Sequence, residues 1–158
     1  MYVGLIIVFN DFKNEALKSN FISSINKLKD VKMCLVCNNS SDQVFEILSE
    51  IGHQNENTTV VNNKRKKSNT ASVKAGARYL YNHNNLKYVG YIVGLNTFEI
   101  LEELKAFIEY YKPIIEFNQR EMANQKIRQT YYQSLFSVSE SLKKINLETT
   151  LRLVDSKK

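Results

Sequence analysis

YVGLIIVF, residues Tyr2 to Phe9, is the stretch on which the fold turns. It is apolar at odd and even positions alike, so both of its faces want burial. That is the pattern of a central parallel strand covered by helices on each side, not of a strand with one wet face. Asn10 and Asp11 end the run. From Glu15 to Leu28 the apolar residues Leu17, Phe21, Ile25 and Leu28 recur every three or four positions, the period of a helix packed on a sheet. A second apolar run, Val31 to Cys37, follows directly. The NNSSD after it offers Ser41 or Asp42 as cap for a helix carrying Val44, Phe45, Ile47, Leu48 and Ile51 and stopping near Gly52.

The alternation continues twice more. Thr58 to Asn62 is a short β-branched third strand, followed by the basic run Lys64, Arg65, Lys66 and Lys67. Ser68, Asn69 and Thr70 are candidate caps for a helix through Ala71, Ala75, Ala77, Tyr79 and Leu80, and the small residues Ala71, Ala75 and Gly76 predict its close approach to backbone. LKYVGYIV, Leu86 to Val93, is a fourth strand, and Gly94 to Thr97 turns into a helical pattern with Phe98, Leu101, Leu104, Phe107 and Ile108. Four strand-then-helix units in the first 112 residues predict an α/β domain with a mainly parallel sheet, helices on both faces and right-handed crossovers. Its strands are expected near 2–9, 31–37, 58–62 and 87–93.

Pro113 marks a boundary, either as a kink or in the opening turn of a new helix. Beyond it Ile127, Tyr131, Leu135, Val138, Leu142 and Ile145 are spaced 4, 4, 3, 4 and 3. The spacing predicts an unbroken helix over 127–145, lying on the sheet or a neighbouring helix, or forming a dimer seam. Leu151, Leu153 and Val154 read as a short edge strand or a final tether. The expected organisation is an α/β domain over 1–112 and a helical extension over 113–158, packed on it or building a homodimer.

Composition agrees with a single folded unit. The 158 residues are 43% hydrophobic and 24% charged, which excludes a disordered tail, and five Gly with one Pro are few for a sandwich or barrel of many tight turns. The 22 Lys and Arg against 16 Asp and Glu give +6, most of it in residues 1 to 96, where 12 basic and 7 acidic groups leave +5. That excess favours phosphate-bearing partners. Cys34 and Cys37 lie three apart on one strand, hence on opposite faces, and His53 and His83 sit in separate polar segments, so no zinc site is expected. The first strand is too short to span a membrane and has no basic leader, so a cytoplasmic protein is expected.

In an open parallel sheet ligands bind beyond the C-terminal ends of the strands. Those ends are Asn10 and Asp11, Asn38 to Asp42, Asn62 to Lys67, and Gly94 to Asn96. The run Lys64 to Lys67, with Lys74 and Arg78 four apart on the next helix, would hold a diphosphate beside the unpaired N–H groups of that helix start, or would simply be a solvated loop. Non-specific nucleic-acid binding through the same loop is a weaker alternative, because one basic patch lacks an aromatic platform for bases. No G-x-G-x-x-G, P-loop or G-x-S-x-G is present, which removes the usual support for dinucleotide, phosphoryl-transfer and serine-hydrolase chemistry.

The order of segments over residues 1–112 resembles the nucleotide-binding half of the family 2 glycosyltransferases, with their A-type glycosyltransferase fold. Phe9 and Asn10 match the pair that ends the first strand, and VCNNSSD, Val36 to Asp42, matches the nucleoside-facing Val-Asp-Asp-x-Ser-x-Asp run. Ser72, Lys74 and Gly76 match the small residues and Asn-x-Gly of the following helix, and KYVGYIVGLN sets Val93, Gly94 and Leu95 at the D-x-D metal motif. The departures fall on the chemistry. The two nucleoside-facing acids are Cys37 and Asn38, the helix Asn is Lys74, and apolar side chains replace both metal-binding carboxylates; a register shifted by one reaches only Asn96.

The resemblance therefore implies a nucleotide-diphosphate or nucleotide-sugar ligand met by Asn10, Asn38, Ser40, Asp42, Lys66, Lys67, Lys74 and Arg78, with no metal and no catalytic residue. The chain ends before the acceptor-binding half and its base. The expectation is a non-catalytic glycosyltransferase-like domain that binds a nucleotide or a partner protein; a metal-independent transferase completed by another chain is the alternative.

Overall fold

The structure, a computed structural model, describes residues 3–12, 19–94, 96–124 and 135–156. β1 (Val3–Asn10) is buried on both faces along its apolar length, as YVGLIIVF requires. It lies at the centre of a five-stranded sheet with β2 (Val31–Asn38), β3 (Thr58–Asn63), β4 (Tyr88–Gly94) and β5 (Leu135–Ser137), in the order β3-β2-β1-β4-β5. All four pairings are parallel. The helices are α1 (Ser19–Asn26), α2 (Asp42–Gln54), α3 (Asn69–His83), α4 (Thr97–Glu109), α5 (Tyr111–Ala123) and α6 (Val138–Ser156).

Because neighbouring strand residues point to opposite faces, the sheet separates two cores. Leu5, Ile7, Phe9, Met33, Leu35 and Cys37 face α1, α2, α4, α5 and α6, whereas Ile6, Val8, Cys34 and Val36 face α3. Small residues set the spacing on the α3 side: a Cβ on Gly76 would stand 2.9 Å from Cγ2 of Ile6, so only glycine lets α3 lie this close. Ser41 caps α2 and Ser68 caps α3, each accepting from the backbone N–H three residues on. Pro113 falls in the first turn of α5, where its missing N–H costs nothing. Its ring would strike the carbonyl of Glu109 in a continuous helix, and Glu109 is where α4 stops.

The strand expectations hold to within a residue or two. Two expectations about the later region do not. The helix over 127–145 is interrupted, since Leu135–Ser137 is strand and helix begins only at Val138; Ile127 and Tyr131 lie outside the described residues. Adjacent Leu135 and Phe136 are both apolar and serve opposite faces, which a strand satisfies. Phe136 lays its ring over Gly90, the residue paired with it on β4, where a Cβ would come within 2.7 Å. Leu151, Leu153 and Val154 belong to α6 and form no edge strand. Val138 is fully buried, and Leu142 and Ile145 pack against the same core, so these positions face the chain's own sheet.

Candidate functional site at the C-terminal rim

β1 pairs with β2 on one side and β4 on the other, α1 leaves β1 on one face and α3 returns to β4 on the other. The strand order therefore reverses at the C-terminal ends of β1 and β4, where such sheets open a crevice.

The strands finish alike. Asn10, Asn38 and Asn63 end β1, β2 and β3 in register, Asn10 opposite Asn38 and Asn38 opposite Asn63. Asn38 is fully buried and uses every polar group it has. Its Nδ2 donates to Oδ1 of Asn10 at 2.7 Å and to the carbonyl of Lys67 at 2.8 Å, while its Oδ1 accepts from the N–H of Lys67 at 3.0 Å and Nδ2 of Asn63 at 3.3 Å. Asn63 also donates to Ser72 Oγ on α3, and Asn10 donates to Asn69 Oδ1 in its first turn. The network ties three strand ends to the loop before α3 and aims that helix's N-terminus at the rim.

The residues just beyond repeat the theme. Asp11 and Asn39 adopt left-handed backbone, φ 57° and 55°, which Asp and Asn tolerate better than most side chains. Nδ2 of Asn39 donates to Oδ1 of Asp11, and Oδ2 of Asp11 pairs with Nζ of Lys66. Lys66 is thus turned toward the end of β1. The Lys67 side chain is exposed, and its main chain holds Asn38. Ser40 accepts from the N–H of Phe12 and donates to the carbonyl of Phe9, locking the β2–α2 turn to the end of β1. Asp42 is exposed in the first turn of α2, where its charge favours the helix N-terminus.

Lys74 lies to one side of this network. It lines a cavity of about 390 Å³ on the α3 side of the sheet, with Asn69 and Thr70 of the first turn, Tyr91 and Val93 of β4, and Glu140 of α6. Arg78, one turn further along α3, is exposed and lines no part of it. The structure thus joins Asn10, Asn38 and the Lys67 main chain in one network, ties Lys66 and Ser40 to the end of β1, and adjoins that network, through Asn69, to the cavity that Lys74 lines; Arg78 lines no part of it.

Asn63, Asn69 and Tyr91 were not among the expected site residues. A repeated Asn at each strand end was the readable signal for the first. The walls given by β5 and α6 carry none, because the apolar spacing over 127–145 fits a helix running through Leu135–Ser137.

Burial, and then the charge of Glu140, push the Tyr91 phenol above its ordinary range, so it is a protonated donor at neutral pH. Burial pushes Cys34 up to about 12 and raises Cys37, the latter against opposing hydrogen bonds from Ser40. Neither thiol is a nucleophile at neutral pH. At the position resembling D-x-D, Val93 is half-buried and Gly94 buried, Leu95 lies outside the described residues, and Asn96 spends its side chain capping α4 through the N–H of Glu99. Among the described residues no three His, Cys, Asp or Glu side chains gather as they would around a metal, and no helix is long and apolar enough to cross a membrane.

No protein-family model and no curated protein matches the chain. What fold and rim define is a class: a Rossmann-like α/β domain with a parallel sheet flanked by helices, an architecture compatible with nucleotide binding in general.

Proposed function

We propose that the protein is a glycosyltransferase family 2-like domain that binds a nucleoside diphosphate or nucleotide-sugar at this rim and does not itself transfer the sugar. The observation that carries the reading is the lining of one cavity. Val93, at the position resembling the first metal-binding carboxylate, shares it with Lys74 and the first turn of α3. Where the resemblance implies a cation held by acids, this chain sets a lysine and the first turn of a helix, whose ammonium and positive dipole end both favour a phosphate.

The metal itself does not fit. Val93 and Gly94 offer no side-chain oxygen, and among the described residues Glu140 is the one carboxylate of the lining, where Mg²⁺ or Mn²⁺ wants several oxygens. Glu140 also repels a phosphate, which favours the Lys74 side of the cavity for a diphosphate. The Asn10–Asn38–Asn63 network supplies rigidity for this arrangement and leaves the Asn38 amide no group free to meet a base.

Calorimetric titration with uridine, uridine diphosphate and guanosine diphosphate tests the reading. Lys74→Ala should weaken diphosphate binding about tenfold, about 1.4 kcal/mol, with uridine little altered, and millimolar Mn²⁺ should leave both affinities nearly unchanged. Absence of diphosphate binding, or a tenfold gain with Mn²⁺, overturns it.

A further inference from the structure

β3 is an edge strand. Asn57 and Asn63 direct their carbonyls to β2, accepting from the N–H groups of Met33 and Asn39, so the odd-numbered residues of this segment face inward. Thr58, Val60 and Asn62 therefore direct their main-chain groups outward. The N–H of Thr58 is taken by the carbonyl of Asn55. Among the described residues nothing bonds to the N–H and C=O of Val60 and Asn62 or to the C=O of Thr58.

Edges of this kind are normally blunted by Pro, a bulge or a charge within the strand. TTVVNN contains no Pro and no charge, and all six residues pair with β2 in unbroken register. The charges stand just outside: Glu56 before the strand and Lys64 after it, both exposed and with no ion pair among the described residues. Alongside the edge, α2 presents small residues. Gly52 lies so near that a Cβ there would stand 3.1 Å from Cγ2 of Val60 and 3.6 Å from the carbonyl oxygen of Thr58, so at this point α2 sets no side chain against the strand.

We propose that this edge pairs antiparallel with the same edge of a second copy of the chain, joining two sheets into one. A two-fold axis through such a pair sets one residue opposite its own copy, because opposite residues share a face and sequence neighbours do not. Centred on Val60, the pairing sets Asn62 opposite Thr58 of the second copy and brings Lys64, just past the strand's end, toward Glu56 in the turn before the second copy's strand. The Val60 N–H groups bond to the two Val60 carbonyls, and the Asn62 N–H groups to the two Thr58 carbonyls, so each free outward donor of the strand is used. The flanking charges then meet their opposites twice by symmetry. A register centred on Val61 would instead set Glu56 against Lys66, which Asp11 already holds. The Lys74 cavity is lined by other elements, so the pairing stands or falls independently of nucleotide binding.

Sedimentation equilibrium at rising protein concentration is the test, with circular dichroism to confirm folding. Wild type should dimerise. Val60→Pro removes an outward N–H that the monomer does not use and should give a folded monomer. Lys64→Glu should weaken the dimer about tenfold, Glu56→Lys likewise, and the two together should restore it, with Lys66→Glu having little effect. If Val60→Pro unfolds the chain, the charge exchange decides alone. A wild type that stays monomeric at high micromolar concentration, including one whose edge is instead filled by an added extended peptide, overturns the proposal. So does a dimer indifferent to these substitutions, or one that the double exchange fails to restore.

Discussion

Replacing Asn38 by Asp changes one atom in a side chain with no exposure, so it opens no cavity and isolates the hydrogen bonds. The amide nitrogen donates to Asn10 Oδ1 and to the Lys67 carbonyl, and a carboxylate can donate to neither. An acceptor left fully buried without a donor costs about 1–3 kcal/mol; both of these bonds are only partly buried, so Asn38→Asp should destabilise the fold by about 2–4 kcal/mol at neutral pH. The bonds received from the Lys67 N–H and Asn63 survive, which argues for the lower half of that range.

The sign of the pH dependence follows from the same contacts. Burial and two oxygens facing the new carboxylate raise its folded pKa above the unfolded value of about 3.9. The folded state then binds more protons, so the penalty is smallest below the unfolded pKa and grows as pH rises through the folded one. Protonation returns one donor, so about half of the loss should be recovered at low pH. Urea unfolding of wild type and variant across the acid range measures both. A loss below about 1 kcal/mol at neutral pH, or one independent of pH, would refute the claim that Asn38 is a structural tie at the rim.

Phe136→Ala should cost about 3–5 kcal/mol, because the ring is buried over Gly90 and is the main anchor of β5; denaturant unfolding checks it, and a loss under about 1 kcal/mol would mean that β5 contributes little to the sheet. Burial, against a hydrogen bond from Ser139, raises the Glu103 carboxyl, with Glu99 adding repulsion and Lys143 opposing it. Its folded pKa lies above the unfolded one, so it costs stability once pH exceeds the unfolded value. Glu103→Gln should therefore raise the melting temperature at neutral pH, by under about 1 kcal/mol of stability given its partial exposure, and give no gain in acid, as thermal scans at the two pH values would show.

How much of this was legible beforehand differs by element. The first four strands and the helices between them could be read because their signals are local: YVGLIIVF and VKMCLVC need burial on both faces, and Phe21 and Ile25 or Val44, Leu48 and Ile51 keep a helical period. Rossmann-like organisation follows from that alternation. The opposite faces of Cys34 and Cys37 follow from strand geometry alone. The strand ends were likewise identified as the rim, since parallel connectivity fixes which end carries the loops.

The rest was decided by contacts between residues far apart in the chain. β5 is three residues long and has no period of its own; it is a strand because Val89 to Tyr91 lie open beside it and Gly90 leaves room for Phe136. Asn38 reads as a ligand-facing side chain in VCNNSSD, yet register with Asn10 and Asn63 turns its amide inward, and no window of sequence contains all three strand ends. The basic residues make the same point. Charge counting gathers Lys66, Lys67, Lys74 and Arg78 into one patch, but the left-handed turn at Asp11 draws Lys66 to β1, whereas the path of α3 carries Lys74 to a cavity walled by β4 and α6. Sequence by itself determined which segments are buried and in what rhythm, because burial is a property of each residue type. Where those segments meet, and hence which polar groups are spent on structure and which remain for a ligand, depended on pairing register and close approach, which exist only once the chain has folded.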